Sequence, residues 1–565
     1  MSARQKYGVY QPFIAILVAA ALISPCAAAQ PVRGRHAPNR AAVPQVSLLN
    51  QFRPIGGFGN NLVNPGLDVL VGNPELIIAP LLFAPNTNDG LISATNARTI
   101  SNVIGGGTGA QGQTGQTTDP TLSAWLYVFG QFVDHDLDLE ETPQTNAAIN
   151  ITIPAGDPVF SAGTVIAMNR DTRSNKTNTI INTVAGYLDL SQLYGSTQAV
   201  ASALINSDGT LTSSDNGLAL PVQNGSFVTG DPRVMENPEL TAVTTLFLRE
   251  HNFWVATLKA QHPNWSAGQL YNMAKAINTA EYENIVYTEY LPALLGNVLG
   301  PYRGYDPSVN SQVTQEFSTS AFRVGHSQVS DTQEGLDNNG NAVFTEALAQ
   351  GFFNTPATDI SNGIDPLLRS LGSDFSQATD PYTVAALRNL LFAGLVGGDI
   401  DEIDLIAIDI QRERDAGVNT LNQTRRALGL RPYGSFAELT PDANLQSGLQ
   451  SVFGSIDNVD LFIGGLAEPH ATGANVGPTF QLVIGDQFQR LRAGDRFFWL
   501  NEGFDRSTAS TIAATTLTTL MERDTNTTAN LQANLFIERA VVGPQVAPHV
   551  KVHVPLPSID GHRPR

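Results

Sequence analysis

Asp134, His135, Asp136 and Asp138 place three carboxylates and an imidazole within five positions, at the end of the apolar stretch WLYVFGQFV that begins at Trp125. A buried carboxylate is costly unless it is paired or bound to a metal. Either this end is wet, or the charges hold something. On a helix, Gln131, Asp134 and His135 fall at i, i+3 and i+4 and share one face. An amide, a carboxylate and an imidazole then reach a common pocket. Asp136 and Asp138 point elsewhere, and Asp136 is free to serve a second site behind the first. Taken alone, the pattern also fits a solvated helix end.

Such a face needs a helical frame, and the chain supplies one. LSAWLYVFGQFVDHDL, PELTAVTTLFLREHNFWVATLKAQ, GQLYNMAKAINTAEYENIVYTEYLPALL and STASTIAATTLTTLMERD carry apolar residues at three- and four-residue intervals. Pro238 and Glu239 suit a first helical turn, where a ring-fixed φ and an acid are both favoured. Strand-like alternation is sparse and short, so a mainly α fold is expected.

The totals narrow the function classes. The chain has 565 residues and a net charge of −19. This acidic balance argues against nucleic acid, because a phosphate backbone selects Lys and Arg. Residues 1–29 read as a signal peptide: Arg4 and Lys6, then the apolar run FIAILVAAALI, then CAAAQ. The run is too short for a membrane span, and an uncleaved anchor or lipid attachment at Cys26 is the weaker reading. The expected location is secreted, extracellular or periplasmic. Cys26 is the single cysteine, so the mature chain has neither disulfides nor thiol chemistry. Residues 30–50 are basic and Pro-rich and read as a flexible linker. Residues 51–545 read as one domain, and 546–565 as an irregular tail. The Gly-rich segment 105–119 lacks the Gly-Lys-Ser/Thr ending of a phosphate loop.

Three more stretches change the weight of the opening pattern: GDPRVMENPEL (230–240), AFRVGHSQV (321–329) and AIDIQRERDAGVNTLNQTRRALGL (407–430). With GQFVDHDLD (130–138) they resemble the animal-type haem peroxidases. The resemblance runs on, in the family's order, through GGFGNNLVNP, VAGYLDLSQLYGS, PELTAVTTLFLREHN, LFIGGLAEP and VGPTFQLVIGDQFQRLRAGDRFFWLNE. It implies a large single-domain, mainly α fold with haem b buried between distal and proximal helices. It also implies a peroxidase that oxidises halide, thiocyanate or phenolic donors with hydrogen peroxide, through an oxo-iron intermediate.

The resemblance assigns roles residue by residue. His135 matches the distal histidine that moves peroxide's proton, a task suited to neutral imidazole. Arg233 matches the distal arginine that stabilises the departing hydroxide. Gln131 matches the distal glutamine. His326 matches the proximal ligand of the haem iron, and Asp409 its partner, where mammalian members carry Asn. A carboxylate there favours oxidised iron. Arg323 and Arg412 match arginines near the haem propionates, with a salt bridge to Asp404 or Glu413 as the plainer role for Arg412. Asp134 and Glu236 match the carboxylates that form ester links to haem. Asn237 stands where some members carry Met, which excludes a sulfonium link. Asp136, Ala185, Tyr187, Asp189 and Ser191 match a Ca2+ site, with Ala185 in place of the usual Thr. His251 and His470 receive no catalytic role. Lack of disulfides points to a bacterial source. Two alternatives remain. A fatty-acid dioxygenase on this fold would need a Tyr three residues before the proximal His, where this chain has Arg323. A non-catalytic adhesive protein would be expected to lack His135 or Arg233.

Overall fold

An aromatic cluster joins the three helices that frame the site. Helix α1 (Trp125–Leu137) buries Trp125, Phe129, Phe132 and Val133 completely. Phe132 stacks on Phe247 of α2 (Pro238–Gln261) with centroids 5.0 Å apart. It meets Tyr282 of α3 (Ala267–Ile285) edge-on at 5.8 Å. Rings this size bury large apolar area and prefer such offset and tilted pairings. The apolar residues of α1 thus hold its other face towards the cavity described below.

The chain forms these helices where its signals stand. The Asn237 side chain caps α2 by accepting from the Leu240 N–H at 2.8 Å, and Pro238 occupies the first turn as expected. Ser266 and Gln269 close a reciprocal capping box at the start of α3. Two shorter elements complete the frame: α4 (Gly325–Gln328), which packs on α1, and α5 (Leu405–Ala416). Asp404 caps α5 through the Ala407 N–H, and Gly417 at φ 76° ends it in a conformation that favours glycine.

This computed structural model describes residues 51–82, 95–106, 117–143, 145–353, 355–389, 403–528 and 531–537. The expected leader, linker and tail, and most of the Gly-rich segment, lie outside the described residues. The fold is mainly α. Its strands make two-stranded antiparallel pairs, the longest being Thr332–Leu336 with Ala342–Ala347. Among the described residues, no helix is long and apolar enough to cross a membrane.

Candidate active site

Gln131, Asp134 and His135 do line one cavity, of about 300 Å³, together with Arg233, Glu236, Arg323 and His326. Another part of the wall comes from α4 and the turn before it. One cavity therefore collects these groups from three stretches separated by up to nearly two hundred residues.

The α1 side is a hydrogen-bonded set. Asn237 Nδ2 donates to Gln131 Oε1 at 2.9 Å, and Gln131 Nε2 donates to Glu236 Oε2 at 2.9 Å. The same Glu236 oxygen lies 3.6 Å from His135 Nε2, beyond a hydrogen bond. Burial, reinforced by the Arg233 charge, pushes the His135 imidazole down to about 3, so the ring is neutral at ordinary pH. Burial pushes Glu236 up to about 7, against the opposing pull of Arg233. It also raises Asp134, again against Arg233.

Arg233 is aimed by its own turn. Asp231 accepts from the Arg233 N–H at 2.7 Å and pairs with Nη2 at 2.7 Å. Nη2 also donates to the carbonyls of Asp138 at 2.9 Å and His135 at 3.3 Å, tying the guanidinium to the end of α1. Gly230 lets this turn approach the 191–195 segment: a Cβ there would overlap the Ser191 carbonyl oxygen and the Gly195 backbone. Backbone cannot rotate away as a side chain can. Gly230→Ala should therefore cost about 1–3 kcal/mol, the usual range for overpacking, read as a lower urea midpoint.

On the α4 side, His326 Nδ1 bonds Asp409 Oδ2 at 2.6 Å. Asp409 is fully buried, and its other oxygen accepts from Arg323 Nη1 at 2.9 Å. With Nδ1 occupied, Nε2 is the nitrogen that His326 has left for a metal. Arg323 also donates from Nη2 to Glu140 Oε2 at 3.2 Å. Arg412 does not take its plainer role. It does not line the cavity, and its partners are neither Asp404 nor Glu413. It pairs with Asp171 at 2.6 Å and lies 3.7 Å from Glu140. Asp404 instead pairs with Arg98, and Glu413 accepts from Ser320 and the Phe462 N–H. The buried Asp171 carboxylate captures the guanidinium. His251 and His470 also lie elsewhere, the first bonded to Tyr194 and Gly209, the second to the Thr379 carbonyl.

Behind α1, Asp136 meets the 185–191 loop. Its Oδ1 accepts from the Ser191 N–H at 2.6 Å and Oγ at 2.7 Å; Oδ2 accepts from the N–H groups of Asp189 and Leu190 at 2.9 and 3.0 Å. Leu190 turns through φ 58° to allow this wrap. Asp189 Oδ1 is buried and has no hydrogen-bond partner among the described residues. Burial and each other's proximity raise Asp136, and burial raises Asp189, with Lys275 and Arg53 opposing. Two buried acids, an orphaned oxygen and the Ser191 hydroxyl fit a calcium-type donor set.

Sequence reasoning missed Asp231, Glu140 and the bonding role of Asn237. The Asp-Pro-Arg order could have signalled Asp231, since an Asp commonly caps its own turn two residues on.

The family description "Animal haem peroxidase" matches residues 52–536. Peroxinectin A of Dictyostelium discoideum is 31% identical over 529 residues, covering 87% of this chain and 96% of that protein. The solved structure of peroxidase A from Dictyostelium discoideum superposes with TM-score 0.77 at 30% identity, covering 86% of this chain and 99% of that one. A fatty acid alpha-dioxygenase of Arabidopsis thaliana, with TM-score 0.70 over 91% of this chain and 87% of its own, is 18% identical and shares the fold alone.

Proposed function

The chain belongs to the animal haem peroxidase family, and from that premise we propose that the cavity between α1 and α4 would hold haem b, with His326 as the ligand of its iron and His135 as the proton-transfer group. The chain is a haem-dependent peroxidase, an oxidoreductase acting with hydrogen peroxide. The observation that carries the site assignment is that His135 and His326 line one cavity from different elements. His326 has a carboxylate partner on Nδ1, as a metal-ligating imidazole commonly does; burial with Arg233 holds His135 neutral.

Haem, when bound, supplies the iron that exchanges two electrons with peroxide. The protein's own part is positional and protonic. His135 takes the proton from one peroxide oxygen at Nε2 and returns it to the other, which leaves as water. Arg233, fixed by Asp231 and two carbonyls, presents a permanent charge to the hydroxide as it separates. Gln131 is oriented by Asn237 and Glu236, which leaves it placed to bond a pocket water or halide. Asp134 and Glu236 are cavity carboxyls suited to ester links with haem. Arg323, in the position a dioxygenase of this fold would give to Tyr, is instead bound to Asp409. That favours peroxidase over lipid oxygenation.

Halide or thiocyanate would give two electrons together; phenols would give them singly. The visible spectrum tests this reading. A ferric haem band that shifts with peroxide and returns with bromide, iodide or thiocyanate supports the halide route, and a return with phenols alone supports the radical route. A band that ignores peroxide sinks the assignment of His135 and Arg233. The ester links have a separate readout. After peroxide treatment, acid denaturation should leave haem on the polypeptide, whereas Asp134→Asn with Glu236→Gln should release it.

The same reading places Ca2+ with Asp136, Asp189, Ser191 and the carbonyls of Ala185 and Tyr187, and takes residues 1–29 as the leader of an exported protein. Calcium at about a hundred times its Kd should stabilise the fold by about 2.7 kcal/mol through mass action. Chelation should remove that gain in thermal melts, and Asp189→Asn should lose the part of it that this site supplies.

A further inference from the structure

We propose that Glu250, Glu281 and Asp524 share protons and, with Arg523, form a pH-sensitive clasp that holds a C-terminal helix onto α2 and α3 and slackens as the acids ionise. That helix is α6 (Leu517–Asp524), which packs on α2. None of the four residues lines the cavity, so the clasp stands apart from the site described above. Glu250 of α2 and Glu281 of α3 are fully buried. Arg523 reaches both. Its Nε donates to Glu250 Oε2 at 2.8 Å and its Nη2 to Glu281 Oε1 at 3.2 Å, with Nη2 also 2.7 Å from Glu250 Oε1.

One guanidinium cannot balance three buried carboxylates. Glu281 also accepts from Trp254 Nε1 and Thr515 Oγ1, both at 2.8 Å. Glu250 Oε1 and Asp524 Oδ2 are buried, and neither accepts a hydrogen bond from an N–H or hydroxyl among the described residues. Carboxyl meets carboxyl instead, Asp524 against Glu250 and Glu250 against Glu281. Two carboxyls hydrogen-bond only when one of them carries the proton. Two such protons leave a single negative charge, which Arg523 matches. The other charged and titratable groups nearby are engaged. Arg249 of α2 pairs with Asp365 and donates to the Asp524 carbonyl at 3.0 Å. Tyr194, in the field of both glutamates, bonds His251 and Asn278. Burial pushes all three acids up, Glu250 with help from Asp524 and Glu281 with help from Glu250, while Arg523 opposes.

A carboxyl raised in this way keeps its proton above the pH at which the unfolded chain loses it. Its stabilising contribution is complete below the ordinary carboxylate value of about 4 and is lost as pH rises through the folded value. Opening of α6 releases the shared protons, so its equilibrium should grow by up to about tenfold per pH unit for each proton released. The clasp bears on the site through packing. Glu250 follows Phe247 by three residues, and Glu281 is next to Tyr282. Those are the two rings that hold Phe132 of α1.

Hydrogen exchange of the haem-loaded chain, read by mass spectrometry, measures this opening directly. After correction for the intrinsic pH dependence of amide exchange, opening in peptides over 517–524 should grow at least about tenfold between pH 6 and 8. Peptides over α5 should change less. Asp524→Asn keeps the shape and sets a permanent donor beside Glu250. It should flatten the slope and leave α6 better protected than wild type at pH 8. Should that variant fail to fold, Glu250→Gln, which also removes one titrating group, takes its place with the same expected flattening. Opening of α6 that ignores pH in wild type, a rise shared equally by α5, or a slope as steep in the variant overturns the clasp. So does weaker protection of the variant at both pH values, the mark of a merely structural contact.

Discussion

His135→Gln should slow the reaction with hydrogen peroxide by about 10²–10⁴-fold, the usual contribution of a positioned proton-transfer group, while ferric haem stays bound. Glutamine keeps polar atoms in the cavity but cannot accept and return a proton. Glu236, 3.6 Å from Nε2 and pushed by burial up to about 7, is a substitute base only as a free carboxyl. If it forms a haem ester it cannot titrate at all. Stopped-flow spectra of the ferric band after mixing with peroxide give the rate directly. A variant as fast as wild type would end the assignment. The pH profile gives a second, independent sign. His135 works as a base when neutral, and burial with Arg233 lowers its pKa to about 3. The wild-type rate should therefore hold as pH falls through 6 and 5, and drop only as it approaches about 3. A midpoint near the ordinary imidazole value of about 6.5 would show that His135 is solvated and unopposed by Arg233.

The face carrying Gln131, Asp134 and His135 was legible because a helix repeats every 3.6 residues and the stretch has no competing signal. The start of α2 was legible for a local reason too: Asn237, Pro238 and Glu239 are cap, first-turn and dipole residues in order. Arg412 was not. It stands three residues after Asp409 on α5, the spacing that shares a face. But its partner Asp171 lies more than two hundred residues earlier, and sequence spacing does not show which carboxylate a long, flexible side chain will choose. Glu250 and Asp524 illustrate the same limit. Each looks like an ordinary acid in its own helix. They acquire meaning when α6 packs on α2. Local chemistry is written in local order, whereas the compensation of buried charge is settled by tertiary pairing.

Asp409 carries the second large effect. It is fully buried and divides its two oxygens between His326 Nδ1 and Arg323 Nη1, at 2.6 and 2.9 Å. A carboxylate on Nδ1 makes the imidazole a stronger electron donor and favours ferric over ferrous iron. Asp409→Asn preserves shape and keeps an acceptor for Nδ1–H, but removes the charge and leaves Arg323 to Glu140 and the Ser318 carbonyl. Changing a ligand's partner typically alters metal affinity about 10–100-fold. Applied to the ferric form, that is about 60–120 mV in a one-electron potential, at about 59 mV per tenfold. The ferric/ferrous midpoint should rise by this amount in a spectroelectrochemical titration. The variant should then be the stronger oxidant of halides, and slower to react with peroxide, because the same donation that lowers the potential helps break the O–O bond. The two effects have opposite signs, so a merely structural loss cannot imitate them: a loosened fold would lower both. An unchanged potential would mean that Arg323 cancels the Asp409 charge at the iron, and that His326 is tuned by the ion pair as a neutral unit.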